Sequence, residues 1–210
     1  MSSSIASPSD TVAGMVVAGG LSTRFGGEKA AALLDGQSLL TWAARRLQAS
    51  CRDVAVNARP GTETEALARA LGHEVLHDAP GDPDGPLAGV KAGLLWAASR
   101  GAASLAVSPC DAPLLPPDLF ARLIEAAGAG AAMAVTAEGR QPLCAVWPVS
   151  ALAFLTEAMA GGAHPPTWRT LQNLGAVEVR FDPPEAFANI NTREDLDLAA
   201  GRFGARDRSP

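Results

Sequence analysis

The sequence has no tyrosine, and only three histidines and three cysteines among its 210 residues. The cysteines, Cys51, Cys110 and Cys144, are widely spaced and form no C-x-x-C pair. An odd number of isolated cysteines argues against a disulfide framework, and no ligand spacing typical of a structural zinc site is present. We therefore expect reduced thiols and a cytoplasmic protein.

Long apolar runs and an excess of basic residues are also missing. No stretch approaches the ~20 apolar residues that span a bilayer, and the start, Met1 to Ser4, lacks the basic and apolar regions of a signal peptide. The formal net charge of −5 argues against an extended nucleic-acid surface, which needs clustered Lys and Arg. We expect neither a membrane nor a nucleic-acid partner, although a local basic loop could still bind a small anion.

The length favours one compact domain, which we place at residues 11–200. Residues 1–10 and 201–210 are polar and are expected to be poorly ordered ends.

Short apolar runs alternate with longer stretches of helical periodicity. Residues 12–18 form a continuous apolar run that ends in Gly-Gly, which is typical of a strand buried on both faces. Strands alternating with helices predict an α/β fold of three layers with a mostly parallel sheet. Such sheets bind ligands beyond the carboxyl ends of their strands, here just after Ala18, Asn57, His77 and Val107. Predicted strands are 12–18, 53–57, 74–77, 103–107, 131–136, 143–147 and 177–180, with a short extended piece at 188–190; predicted helices are 39–49, 63–71, 87–97, 120–127, 151–159, 167–174 and one from Thr192.

The segment after the first strand, V-A-G-G-L-S-T-R-F-G-G-E-K at 17–29, is rich in glycine. Glycines allow backbone N–H groups to approach phosphate oxygens closely, while Arg24 and Lys29 could neutralise charge on a phosphate. The spacing matches neither a Walker loop nor a dinucleotide-binding fingerprint. The alternative interpretation is a surface turn with incidental charges.

A carboxylate follows a later strand, in P-C-D-A-P at 109–113. Mg²⁺ prefers one or two carboxylates together with substrate phosphates and waters, so Asp111 is a candidate metal ligand. The alternative is that Asp111 only caps a turn.

Three further segments carry polar residues at strand ends or helix starts. Asn57 ends the second strand, Asp78 begins a loop that runs into G-P-L-A-G at 85–89, and N-I-N-T-R-E-D-L occupies 189–196. Each has an ordinary structural alternative, namely a turn former, a helix-start loop and a helix cap formed by Thr192 with Asp195.

Taken in order along the chain, these segments resemble those of the molybdenum cofactor guanylyltransferases. The resemblance implies a Rossmann-like fold of the nucleotide-diphospho-sugar-transferase type. It also implies transfer of GMP from GTP to the terminal phosphate of molybdenum-molybdopterin, with Mg²⁺ as cofactor and release of pyrophosphate. Beyond these substrates, it suggests transient contact with molybdopterin-synthesis proteins and with recipient molybdoenzymes or their chaperones.

The same resemblance assigns roles to residues. Asp111, Lys29 and Arg24 would be catalytic, Asp111 would bind the metal, and Asn189 and Asn191 would face the molybdopterin. The positions that would bind the nucleotide are Val17, Ala18, Gly19, Gly20, Lys29, Asn57, Asp78, Gly85 and Asp111.

Two other classes of function stay open at this stage. One is a different nucleotidyltransferase, such as a CTP-dependent molybdopterin cytidylyltransferase, although Ala18-Gly19-Gly20 and G-P-L-A-G resemble the strings of the guanine-specific relatives. The other is a non-catalytic nucleotide-binding module on the same fold. One departure from many relatives is Gln37, which stands where they have a lysine.

Overall fold

The computed structural model describes residues 11–20, 25 and 27–206. Its main feature is a seven-stranded sheet with the strand order β5-β4-β1-β6-β8-β7-β9. β8 runs antiparallel to both of its neighbours, and the other pairs are parallel, so the predicted mostly parallel sheet is confirmed. The strands are β1 Val12–Val17, β2 Leu33–Leu34, β3 Gln37–Ser38, β4 Val54–Asn57, β5 Glu74–Leu76, β6 Ser104–Pro109, β7 Ala132–Thr136, β8 Gly139–Pro148 and β9 Val177–Arg180; the α-helices are α1 Leu39–Gln48, α2 Glu63–Ala70, α3 Pro86–Ser99, α4 Leu119–Ala127, α5 Ala151–Ala158, α6 Thr167–Asn173 and α7 Arg193–Arg206.

Helices cover both faces of the sheet and give the three predicted layers. Buried residues of α1, α2, α4 and α7 pack in one core cluster, and those of α3, α5 and α6 pack in the other. The apolar run of β1 is continuous because each face of the strand packs against a different core cluster. Val12 and Val16 belong to the first cluster, while Ala13 and Met15 belong to the second, so both faces of the strand are buried.

Three neighbouring strands end at the same level. Val17, the last residue of β1, is in register with Asn57 of β4 on one side and with Pro109 of β6 on the other. The segments that follow these strands therefore leave the sheet side by side. This alignment brings residues far apart in the sequence to one edge.

Most predicted elements are present within a few residues of their predicted bounds, but the structure differs from the prediction in four details. β8 begins at Gly139, four residues before the predicted start at 143. The hairpin of β2 and β3 was not predicted, although its turn, Asp35-Gly36, adopts the positive φ values that such pairs favour. Residues 188–190 form no strand; they follow a 3-10 helix at Pro184–Phe187. The helix α7 continues to Arg206, past the predicted end of the domain at residue 200. Glycine weakens a helix without stopping it, and no proline occurs in that stretch.

No helix in the described ranges is long and apolar enough to cross a bilayer.

Candidate functional site

A cavity of about 330 Å³ opens at the edge where β1, β4 and β6 end. Its volume is within the range of about 300–1,000 Å³ that small-molecule sites occupy. All nine positions that the resemblance assigned to the nucleotide line it, namely Val17, Ala18, Gly19, Gly20, Lys29, Asn57, Asp78, Gly85 and Asp111.

A cluster of charged and polar side chains lies on one wall of the cavity. Nζ of Lys29 is 2.8 Å from Oδ2 of Asp111 and donates a second hydrogen bond, of 3.0 Å, to Oδ1 of Asn191. The Lys29 and Asp111 side chains are only 18% and 24% exposed, so this is a partly buried ion pair. Three segments at least 80 residues apart in the sequence thus meet at one amino group.

Main-chain contacts hold this cluster in place. The amide of Ile190 donates a 2.8 Å hydrogen bond to the carbonyl oxygen of Asp111, which fixes the 189–191 segment against the end of β6. Asp195 accepts hydrogen bonds from the amides of Asn191 and Thr192 and so caps α7. These bonds, together with one from the Thr192 hydroxyl, lower the pKa of the Asp195 carboxyl, so the cap stays ionised.

The two asparagines of the N-x-N motif point to different places. Asn191 reaches Lys29, whereas the exposed Asn189 lines a second, smaller cavity of about 110 Å³ with Pro113 and Arg202. Residues two apart in a regular strand would share a face, so the division reflects the irregular backbone of this segment, which forms no strand. The sequence grouped the two residues together, but only Asn191 lies in the Lys29 cluster.

On the opposite wall, Asn57 connects β4 to the loop after β5. Nδ2 of Asn57 donates a 2.9 Å hydrogen bond to Oδ1 of Asp78 and a 3.3 Å bond to the carbonyl of Leu76. Asn57 is only 3% exposed, so it is held firmly at the wall. Gly89, in the first turn of α3, lies so close that an added Cβ would be 2.5 Å from Oδ1 of Asn57. This close approach explains why glycine ends the G-P-L-A-G string.

Sequence reasoning missed Arg59, which also lines the cavity. Its Nε donates a 2.8 Å hydrogen bond to the carbonyl of Gly19, and its guanidinium lies 3.6 Å from the exposed Asp84 carboxylate. Arg59 therefore bridges the glycine-rich segment and the loop before α3. Its position two residues after Asn57, at the carboxyl end of β4, was the available signal.

Glu28, another lining residue that sequence reasoning did not single out, binds the start of α2. Its carboxylate accepts hydrogen bonds from the amides of Glu63, at 2.9 Å, and Thr64, at 2.5 Å, and from the Thr64 hydroxyl. Burial alone would raise the pKa of Glu28, but the hydrogen bonds from Thr64 and Glu63 outweigh it and lower the pKa.

Arg24, the third predicted catalytic residue, lies outside the described residues. Across the residues that the structure describes, no group of three His, Cys, Asp or Glu side chains could enclose a metal ion. The partly exposed carboxylate of Asp111 fits Mg²⁺ bound together with nucleotide phosphates, because that ion needs only one or two protein ligands.

Cys110 lies beside Asp111 but is poorly suited to act as a nucleophile. Burial raises the pKa of its thiol, and the negative charge of Asp111 raises it further, although Lys29 opposes this effect. The thiol therefore stays protonated at neutral pH.

A family model for the MobA-like NTP transferase domain matches residues 14–176. The chain belongs to this family. It is 40% identical over 188 residues to a molybdenum cofactor guanylyltransferase of Cereibacter sphaeroides, a match that covers 89% of this chain and 94% of that relative. It is 39% identical to the protein of the same name from Cupriavidus taiwanensis, over 89% of this chain and 95% of the relative.

Solved structures of this family and of its wider fold share the architecture described above. Molybdopterin-guanine dinucleotide biosynthesis protein A from Archaeoglobus fulgidus superposes with a TM-score of 0.72 at 26% identity, covering 92% of this chain and 99% of that one. The 2-C-methyl-D-erythritol 4-phosphate cytidylyltransferase of Thermus thermophilus has a TM-score of 0.67 at 20% identity, covering 90% of this chain and 97% of that one. The second match concerns the fold alone.

Proposed function

We infer that this protein is a molybdenum cofactor guanylyltransferase, which transfers GMP from GTP to the terminal phosphate of molybdenum-molybdopterin. Relatives of that name are about 40% identical along nearly their whole length. The structural observation that carries the inference is the meeting of Lys29, Asp111 and Asn191 on the wall of the cavity. A binding module would not need a cation and a carboxylate held together at this point.

The reaction is an in-line displacement at the α-phosphorus of GTP. An oxygen of the acceptor phosphate forms a bond to that phosphorus, the bond to the β-phosphate breaks, and pyrophosphate leaves with the electron pair. The acceptor phosphate is largely ionised near neutral pH, so the reaction needs no general base. This agrees with the cavity, whose described lining contains no histidine.

The chain's own residues position the phosphates and stabilise their charge. Lys29 can exchange its bond to Asp111 for bonds to the triphosphate and remain beside Asn191. The amides of Gly19 and Gly20, just past the end of β1, are proposed to bind phosphate oxygens, whereas the Ala18 amide already donates to the carbonyl of Asn57. Arg59 adds a second cation next to Gly19. Catalysis then depends mainly on positioning and charge stabilisation.

Asp111 is proposed to hold Mg²⁺, which when bound polarises the α-phosphate and offsets its developing negative charge. Its carboxylate fits that role because it is partly exposed to the cavity at the end of β6. Arg24 is proposed to assist from the glycine-rich segment.

The wall formed by Asn57 and Asp78 is proposed to receive the nucleoside. Guanine presents its N1–H and 2-amino groups as neighbouring donors, and a carboxylate such as that of Asp78 accepts both. Gly85, at the start of α3, completes this side of the cavity.

A prediction follows for Gly89. Replacement with alanine places a Cβ 2.5 Å from Oδ1 of Asn57, which cannot move away without breaking its bond to Asp78. We expect a loss of unfolding free energy of about 1–3 kcal/mol and weaker GTP binding. Urea unfolding and titration calorimetry would measure these two effects.

Gly201→Ala is the matched control, since Gly201 lies in α7 with nothing within 4 Å of an added Cβ. It should leave GTP binding unchanged and stabilise the protein by up to about 1 kcal/mol. Wild-type affinity and stability in Gly89→Ala would contradict the proposed role of the Asn57 wall.

On the acceptor side, we propose that Asn191, which is already at the Lys29 cluster, contacts the molybdopterin phosphate. A role for Asn189 would have to come from the second cavity, further along the same segment. Molybdopterin-synthesis proteins and recipient enzymes are proposed as transient partners. The three described cysteines are free and buried, which supports a reducing location such as the cytoplasm.

Product analysis tests the proposed function directly. The purified protein would be incubated with molybdopterin, Mg²⁺ and equal amounts of GTP and CTP, and we expect predominantly the GMP-bearing cofactor. A CMP-bearing product would keep the reaction but overturn the base assignment. No nucleotide adduct with active molybdopterin would overturn the proposed function and favour a binding module.

A further inference from the structure

The amino end of α2 is occupied by side chains, one of which comes from the glycine-rich segment. Glu28 accepts hydrogen bonds from the amides of Glu63 and Thr64, the first two residues of the helix. The hydroxyl of Thr62 accepts the third, from the amide of Glu65. The first three N–H groups of α2 thus have hydrogen-bond acceptors within the protein and are not free to bind a phosphate.

This arrangement ties α2 to the residue that precedes Lys29. A carboxylate at a helix amino end is favoured by the partial positive charge there, and the lowered pKa of Glu28 keeps it ionised. The carbonyl of Glu28 also accepts a hydrogen bond from Ala31 and so starts the 3-10 helix Lys29–Ala31. A shift of Glu28 would therefore be transmitted to the main chain of Lys29.

We propose that Glu28 is a positioning residue, which holds Lys29 in reach of the reacting phosphates by anchoring the glycine-rich segment to α2. The proposal rests on the proposed function, since it assigns Lys29 a role in transfer. Glu28 itself acts through the main chain and through α2. A misplacement of about 1 Å at a reacting group can reduce a rate by about a hundredfold, so the anchor matters for catalysis beyond its effect on stability.

A double-mutant cycle tests whether Glu28 acts through Lys29. Glu28→Ala, Lys29→Met and the double variant would be compared for kcat and KM with GTP. We expect Glu28→Ala to lower kcat about 10- to 100-fold. In the Lys29→Met background the same change should lower kcat less than about twofold, because the group that it positions is already gone. Glu28→Gln, which keeps one acceptor oxygen, should restore part of the loss.

Glu63→Gln is the control, because it removes the same charge from the same helix end through an exposed side chain. It should keep wild-type kcat. Full loss from Glu28→Ala in the Lys29→Met background would show an effect independent of Lys29, and an unchanged kcat in Glu28→Ala would show no effect at all. Either result overturns the proposal.

Amide hydrogen exchange separates this proposal from the proposed function. The amides of Ala31 and Ala32 are hydrogen bonded in the 3-10 turn that Glu28 begins. They should exchange faster in Glu28→Ala and at the wild-type rate in Glu63→Gln, whether or not the protein transfers GMP. Unchanged exchange in Glu28→Ala would overturn the anchor. If the wild type made no product while exchange behaved as expected, the proposed function alone would fail.

Discussion

Replacing Asp111 with asparagine is expected to lower the rate of GMP transfer about a thousandfold. Asparagine has the same shape but no charge, so it would bind Mg²⁺ poorly. It can still accept a hydrogen bond from Lys29, which also keeps its bond to Asn191. The contact from Ile190 uses the main-chain carbonyl of Asp111 and survives the change. The folded structure should therefore persist, and pyrophosphate release would measure the activity.

Asp118→Asn provides a matched control. Its carboxylate is 57% exposed, precedes α4 and lies 3.7 Å from Arg122, and it does not line the cavity. This variant should transfer GMP at the wild-type rate. A folded Asp111→Asn enzyme with normal activity would remove Asp111 from the metal site and from the mechanism.

Lys29→Met is expected to lower kcat about a hundredfold and to raise the KM for GTP. Methionine keeps the apolar stem of lysine but lacks its charged amino group, so the triphosphate loses a cation that is held close to Asp111 and Asn191. Because the Lys29 side chain is only 18% exposed, its charge is weakly screened by solvent, and the effect should persist at moderate salt. Steady-state kinetics at two ionic strengths would test both expectations.

Arg100→Met removes a positive charge away from the cavity, where the exposed Arg100 follows the carboxyl end of α3 and pairs with Glu74. We expect nearly normal kinetics from this variant, because exposed ion pairs contribute little. If Lys29→Met behaved like Arg100→Met, Lys29 would have no part in binding the triphosphate.

The fold could be predicted from the sequence because its elements have clear apolar periods. The run from Val12 to Val17 has no polar side chain and predicts a central strand, which the structure confirms. The β2–β3 hairpin was missed because two-residue strands have no period to detect. The start of β8 was also missed: its first four residues, Gly139 to Pro142, are polar or break strand patterns, and only the pairing with β7 fixes them.

The lining of the cavity was predictable because most of it follows a recognisable strand or belongs to a recognisable loop. The contacts that join these segments to one another could not be predicted. Glu28 contacts α2 over a sequence separation of 35 residues, and Arg59 contacts Gly19 over a separation of 40. No local sequence pattern predicts either contact. Asn189 and Asn191 were grouped because they share a motif, whereas the direction of each side chain depends on how the segment packs against Asp111. Their roles, like those of the other site residues, stay predictions until variants are measured.

The antiparallel direction of β8 places a turn that can vary in length beside the cavity. Because β8 runs against its neighbours, its turn with β7, between Thr136 and Gly139, lies at the same edge as the cavity, and Leu143 of β8 reaches the lining. A hairpin turn can change in length without disturbing the core strands behind it. Variation in the length of this turn, with the rest of the cavity unchanged, would then be a simple way to change the acceptor. Grafting the 137–138 turn of a relative with another acceptor onto this chain would show whether that route is open.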